Sequence, residues 1–435
     1  AEERDRRASE LKHVLASRYA DLSSAWRALR TDELTERIRS SFSSTERTVL
    51  VSGWIPDSSR LAVESELRAA TNGKLYLEWL SPGSGDAKKL DTPVALSNPK
   101  VLKPFQDLVG NYGVPEYGTI DPTPFVAISY LCMFGLMFGD AGHGLVIAII
   151  GILGIARARK KGAKDGLFRL IAYCGGAAIV SGLLFGSVFG HELLPPLWFN
   201  YHGAVTGTGH GGPVSSIYDI LGITVRFGIV VMGMGMAINW INLIRKKKWF
   251  ELVFDKAGVF GAWIYGAGAW MAFYFVAHDY KALPSMAVLA LALGIPTLGL
   301  GLKAPLEFYR ENRHEHKLFG GGTLFGFVLS WLVEVLEIYS GYLANTLSFM
   351  RVAGLGIAHV SLMTAFAQIA AMTSPGGGTT LWGVLILVLG NALVIALEGL
   401  SAGIQSLRLN YYEFFSKFFN GTGKAYRPIS LRSRD

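Results

Sequence analysis

Six ionisable side chains sit in the last two apolar stretches of this 435-residue chain: Glu334, Glu337, Arg351 and His359 in one, Glu398 and Arg408 in the other. Charges among apolar neighbours are costly and normally face a cavity or a partner. Spacing places them on faces. Glu337, Gly341, Ala344, Ser348, Arg351, Leu355 and His359 step by three or four, a stripe of small and polar groups down one helix. Glu337 and Arg351 lie about 21 Å apart along such a helix. In the last stretch Asn391, Glu398, Gln405 and Tyr412 recur every seven residues, with Ser401 and Arg408 alongside. Two such stripes suit an ion path. Arg351 stays protonated at any working pH, so it cannot relay a proton, but it can hold an anion or repel cations. Glu337, Glu398 and His359 can take and release protons, and the carboxylates can also take Na⁺. A single buried Glu–Arg pair is most often a packing device; six ionisable groups on two stripes favour a path.

The elements that carry these stripes must be membrane helices. Hydrophobic residues make up 51 % of the chain and charged residues 17 %, against about 25 % charged in a soluble protein. Mean hydropathy is +0.34. Disorder, a collagen-like fibre and a wholly soluble enzyme are excluded. Cys132 and Cys174 lie in apolar runs, so no disulfide framework is implied.

Apolar runs occur near 125–156, 168–190, 217–244, 256–278, 283–302, 320–372 and 381–409, and about 20 residues span a bilayer. Three breaks are basic: Arg157–Arg169 with six Lys/Arg, Arg245–Lys256 with five and Lys303–Lys317 with four. The intervening breaks are almost free of them. The positive-inside rule makes the basic breaks cytoplasmic. With a cytoplasmic N-terminus, the first run must then cross an even number of times. Its Gly139–Gly144 segment reads as the tip of a helical hairpin, each arm about 15 residues or 22 Å long, short enough for a re-entrant element. Eight membrane helices result. The 320–372 run, about 80 Å as one helix, must be tilted, broken or partly outside lipid.

Residues 1–47 read as a stalk helix, because Leu15, Leu22 and Leu29, and Tyr19 and Trp26, repeat in heptads. The missing partner helix and the non-Met start imply that the chain continues before Ala1. Residues 48–112 read as a small α/β lobe and linker, with strands at Thr48–Pro56 and Lys74–Leu80 and a helix from Asp57, capped by Asp57 or Ser58. Ser81–Pro99 reads as the linker, 113–410 as the membrane domain and 411–435 as a basic tail. The expected fold is a mainly α-helical polytopic membrane protein with a small α/β cytoplasmic N-terminal lobe and a helical stalk. The hairpin-tip groups Asp140 and His143 serve a turn or a site equally well. Gly421–Lys424 lacks the strand and spacing of a phosphate loop and reads as a turn after a helix. There is no ATP-binding motif, no Cys/His spacing for a metal, no call for a cofactor, and the net charge of 41 − 33 = +8 does not indicate nucleic acid.

Four stretches resemble the a subunit of the rotary vacuolar-type ATPases, called subunit I in archaeal and bacterial A/V-type ATP synthases. They are Tyr117–Pro124 (YGTIDPTP), Met137–Gly144 (MFGDAGHG), Leu343–His359 (LANTLSFMRVAGLGIAH) and Leu397–Phe419. The resemblance covers about residues 50–430. It implies a stator subunit that forms two ion half-channels against a proteolipid c ring, coupling H⁺ or Na⁺ movement to ATP synthesis or hydrolysis. Arg351 matches the arginine facing the ring, Arg408 the second arginine, Glu337 the acidic group of the cytoplasmic half-channel, and His359 and Glu398 the far half-channel. Asn345 stands where some relatives have histidine; with Ser348, Ser401, Gln405, Asn391 and Glu334 it is a candidate lining residue. The implied partners are the ring, membrane lipid, and the peripheral stalk and collar subunits through the N-terminal arm. The implied location is a prokaryotic plasma membrane, with both termini cytoplasmic. Two rivals are weighed. A secondary ion-coupled transporter usually shows internal repeats, and none is evident; a purely structural stator anchor explains the arm but not the stripes.

Overall fold

The structure is a computed structural model that describes residues 2–82, 92–207, 214, 216–278, 284–311, 321–373 and 380–428. Part of the expected 81–99 linker lies outside these residues. The chain falls into two units, residues 1–95 with 423–435, and residues 96–422.

In the first unit, α1 (Glu2–Ser40) is one uninterrupted helix. Exposed pairs such as Arg37–Glu33 and Arg39–Glu36 lie along it, each worth a few tenths of a kcal/mol at most. Tyr19, Leu22, Trp26 and Leu29 are exposed along it. The two expected strands are short or absent. Only Val49–Leu50 of the first pairs, antiparallel with Ser43–Ser44. Lys74–Leu80 joins no ladder among the described residues. Its alternating pattern specifies an extended backbone but supplies no partner strand. A 3₁₀ turn at Asp57–Ser59 precedes α2 (Arg60–Ala70), so the residue before the helix is Ser59, without a side-chain cap, rather than Asp57 or Ser58. Pro93–Val94 pairs in parallel with Lys424–Ala425, which builds the end of the tail into this unit.

The second unit is helical. It runs α3 (Lys103–Tyr112), α4 (Thr123–Met137), α5 (Ala141–Lys160), α6 (Gly166–Phe185), α7 (Tyr201–Thr206), α8 (Ile217–Arg245), α9 (Trp249–Phe254), α10 (Val259–Ala277), α11 (Met286–Leu289), α12 (Ile295–Gly301), α13 (Lys303–Glu311), α14 (Gly321–Met372) and α15 (Leu381–Leu409). Seven stretches among the described residues are long and apolar enough to cross a membrane. The expected eighth, α4, is apolar but only 15 residues long and is not among these seven. α9 with α10 forms one of the seven spans; α11 to α13, joined by a π turn at Ala290–Gly294, form another.

α4 and α5 are joined by the expected turn but do not pack side by side: both lie against α6, so the antiparallel pair is α5 with α6. The turn is Phe138–Asp140, and the Asp140 carboxylate caps α5 by accepting from His143 N at 3.0 Å. α5 and α6 pack at glycine distance: a Cβ on Gly144, Gly151, Gly175 or Gly182 would meet backbone of the opposite segment at 2.7, 2.6, 2.4 or 2.0 Å. Small residues allow this approach where water offers no hydrophobic drive. The 320–372 run is a single 52-residue helix, about 78 Å long, so breakage is excluded. α14 packs on α15, α8 and α4 through Phe349 and Val352, both fully buried. Tyr112 at the end of α3 meets Tyr411, Phe415 and Phe419, ring centroids 5.0–5.5 Å apart.

Candidate functional site: a polar path along α14 and α15

The sequence stripes meet where α14 and α15 lie side by side. Arg351 of α14 donates from Nη1 to Gln405 Oε1 of α15 at 3.1 Å. It forms no ion pair among the described residues, and neither does Arg408. On α15, Leu393, Leu397, Leu400 and Ile404 are exposed, and Arg408 continues that line at the next turn. On α14, Leu343, Leu347, Gly354 and Ala358 are exposed, and half-buried Arg351 lies on that face. Two permanent cations thus sit on an outward face that is otherwise apolar or small. In hydrocarbon such a face is unfavourable unless another surface brings an anion to it.

Toward the basic end, Glu337 forms an ion pair with Lys256. The Tyr342 hydroxyl donates to the Lys256 carbonyl. Glu334 pairs with Lys303. The Lys417 ammonium lies 4.8 Å from the centre of the Tyr342 ring. Glu413 is buried, with Oε2 unpartnered. The Ser348 hydroxyl donates to the Ala344 carbonyl at 2.9 Å, and the Glu413 carboxylate is within electrostatic reach of Arg351 and Arg408. Sequence reasoning missed Glu413 and Lys417. Their signal was present: a carboxylate five residues after Arg408 with a lysine one turn beyond.

Toward the other end, His359 Nδ1 meets Glu398 Oε2 at 2.6 Å. The His359 ring is T-shaped to His143, with centroids 5.4 Å apart. His143 Nε2 meets Asn391 Oδ1 at 2.6 Å. Phe138 packs against both imidazoles. Asp140 holds the nearby loop: Oδ1 accepts from His143 N and Phe189 N, and Oδ2 from Ser187 Oγ and Gly190 N, all between 2.7 and 3.0 Å. Of the remaining expected residues, Asn345 and Ser401 are half-buried and make no side-chain hydrogen bond among the described residues.

Asp140, His143 and His359 place one potential metal-ligand atom each within 4.8 Å of one another. Spacing had suggested no metal, because 216 residues separate the two histidines. The donor set fits a metal poorly. Both Asp140 oxygens already accept two hydrogen bonds, so its lone pairs are occupied, and two imidazole nitrogens alone do not complete a tetrahedral site.

Along α14 the order is therefore Glu337, Arg351, His359, with gaps of about 21 and 12 Å. Two polar clusters flank one arginine held by Gln405.

The sequence matches the V-type ATPase 116kDa subunit family over residues 6–189 and 310–431. Similar proteins include the A-type ATP synthase subunit I of Aeropyrum pernix, 30 % identical over 98 % of this chain and 64 % of that protein. The protein of that name from Saccharolobus solfataricus is 27 % identical over 88 % of this chain and 60 % of the relative. That from Methanocaldococcus jannaschii is 25 % identical over 98 % and 61 %. The chain thus spans between 60 and 64 % of the length of these relatives. The match over most of the residues, with the polar stripes in place, leads to one conclusion: the chain belongs to the V-type ATPase 116kDa subunit family.

Proposed function

We propose that the chain is the ion-conducting part of the stator subunit of a rotary A/V-type ATPase. In this reading the exposed face of α14 and α15 lies against a ring of proteolipid helices, each carrying one carboxylate. The observation that carries it is that Arg351 and Arg408, neither in an ion pair among the described residues, lie on that face, which favours a passing anion. The Glu337–Lys256 and Glu413–Lys417 groups form the inner half-channel, on the cytoplasmic side of a prokaryotic plasma membrane. Glu398 and His359 belong to the outer one. Arg351 separates them. A cation beside a carboxylate favours its ionised form, so a ring carboxylate gives up its ion as it reaches Arg351 and takes another from the opposite half-channel after passing. α1 joins the stalk and collar. Ion flow then drives ATP synthesis, or ATP hydrolysis drives ion flow.

The test is Arg351→Ala in the complete complex in liposomes. The expected outcome is an assembled complex with ion transport uncoupled from ATP turnover. Normal coupling in this variant excludes the role.

A further inference from the structure

Arg226 is a guanidinium on the exposed face of α8, about 15 Å along the axis from the N-cap Ser216. The exposed positions Arg226, Val230, Gly233 and Ala237 step by four, three and four down that face. A Cβ on Gly233 would meet nothing within 4 Å. Among the described residues Arg226 makes no hydrogen bond and no ion pair; its guanidinium carbon lies 5.5 Å from the centre of the Phe273 ring on α10. Asp219, the other charge on this half of α8, lies two turns away and accepts from Ser216 N at 3.1 Å. Phe273 stands one turn before the end of α10 at Ala277. Beside it Trp270, Tyr274 and His278 form a row of rings, with centroids 5.4 and 4.1 Å apart. Trp and Tyr collect where hydrocarbon meets headgroups. Helical side chains lean toward the N-terminus, so Arg226 leans toward that same end. The other side of α8 packs on α14: a Cβ on Gly228 would meet the Phe349 ring at 2.6 Å, and Phe227 is T-shaped to that ring. Phe349 and Arg351 are about 200° apart around α14, so α8 lies on the side of α14 away from Arg351.

We propose that Arg226, with Phe273, is a binding site for a membrane phospholipid, whose phosphate sits on the guanidinium and whose chains lie along α8 over Val230 and Gly233. The site belongs to the leaflet opposite the basic breaks, the outer one in the orientation proposed above. Only the name of the leaflet comes from that reading. A permanent cation on an apolar face is costly in hydrocarbon. Its long side chain lowers the cost by reaching toward the headgroups, and the anion present at that level is the lipid phosphate. The planar guanidinium can donate two N–H groups to two phosphate oxygens at once. Phe273 steadies the cation at the height of the aromatic row. A carboxylate of another protein would meet the charge too, but the exposed positions below Arg226 are apolar or lack a side chain, which suits an acyl chain. A free phosphate would have to shed its water to reach this depth, whereas a lipid carries its phosphate there on two chains.

The complete complex is reconstituted in liposomes containing phosphatidylglycerol with a diazirine on the acyl chain close to the glycerol. After irradiation the adducts are mapped by mass spectrometry. A parallel sample carries the same diazirine chain on a galactolipid without phosphate. Peptides covering 217–245 and 259–278 report the site. The peptide covering 141–156, where Leu145, Ile149, Ile150 and Leu153 are exposed, reports lipid contact without a cation and sets the scale. The proposal expects phosphatidylglycerol to label the residues around Arg226 and Phe273 at least about tenfold more than the galactolipid, the share of one hydrogen bond to a charged group, and Arg226→Leu to remove that excess. Equal labelling by the two lipids overturns it. So does label on 141–156 with none on either site peptide, which gives the face to a protein partner, and so does loss of the excess in added inorganic phosphate, which gives the site to the free ion. If Arg226→Leu does not assemble, the comparison of the two lipids on the unaltered complex decides alone. Arg351→Ala should leave the labelling unchanged, so the lipid site and the half-channel reading fail separately.

Discussion

Asp140→Asn changes one atom in the turn between α4 and α5, and its cost follows from four hydrogen bonds. Oδ1 takes two backbone N–H groups, His143 and Phe189; Oδ2 takes one, Gly190, and the Ser187 hydroxyl. An asparagine must point its NH₂ at one of these pairs. Toward Oδ1 it orphans two amides. Toward Oδ2 it orphans one, because the Ser187 hydroxyl can turn and accept. The second arrangement is cheaper, and Asn still caps α5 through His143 N. The loss is one hydrogen bond to a charged group plus one buried unsatisfied N–H, about 3 kcal/mol in all. The expected effect is local opening of the 187–190 loop about 10²-fold more often, at about 1.4 kcal/mol per factor of ten. Hydrogen exchange of the intact complex, read on peptides covering 185–192 and 138–146, measures it. The loop peptide should exchange faster while the first turn of α5 stays protected. Asp140→Ala, which orphans three amides, should lose both. Wild-type exchange at 187–190 in the Asn variant refutes the accounting, as does equal loss at both peptides.

Gln405→Leu removes the hydrogen bond that holds Arg351 to α15. At about 1.5–3 kcal/mol for a bond to a charged group, ATP-driven transport should fall at least about tenfold with assembly intact, as dye quenching in proteoliposomes would report. Gly182→Ala puts a Cβ 2.0 Å from Ala141 N, a backbone atom that cannot step aside; about 3 kcal/mol of overpacking should appear as a lower thermal midpoint of the complex. Glu337→Gln breaks the exposed pair with Lys256, so transport should slow while the yield of assembled complex is unchanged. Unaltered flux would remove Glu337 from the path.

Much of the site was legible because helical spacing is a one-dimensional property. Glu337, Arg351 and His359 share a stripe by counting, and Glu398 and Gln405 by counting on α15. Which residue faces which across two helices is a matter of packing. The Arg351–Gln405 and His359–Glu398 contacts needed the coordinates, as did the approach of His143, a residue equally well explained as a polar turn. Glu413 and Lys417 were missed for a related reason: α15 continues past Leu409 into a π turn at Asn410–Phe414, which shifts the faces that a count of seven assigns. In the first unit the failures were local. A two-residue ladder is too short to leave a reliable pattern, and Lys74–Leu80 shows that an alternating run does not by itself recruit a neighbour.

The unbroken α14 has a consequence for how the two polar clusters can change together. Glu337, Arg351 and His359 are marks on one stiff ruler, with no hinge among them. A slide of one helical turn shifts all three by about 5.4 Å, and no mouth can be re-aimed alone. One residue inserted between Arg351 and His359 rotates everything beyond it by about 100°, turning His359 off Glu398 while leaving Arg351 on Gln405. The path tolerates exchanged side chains far better than a change in count.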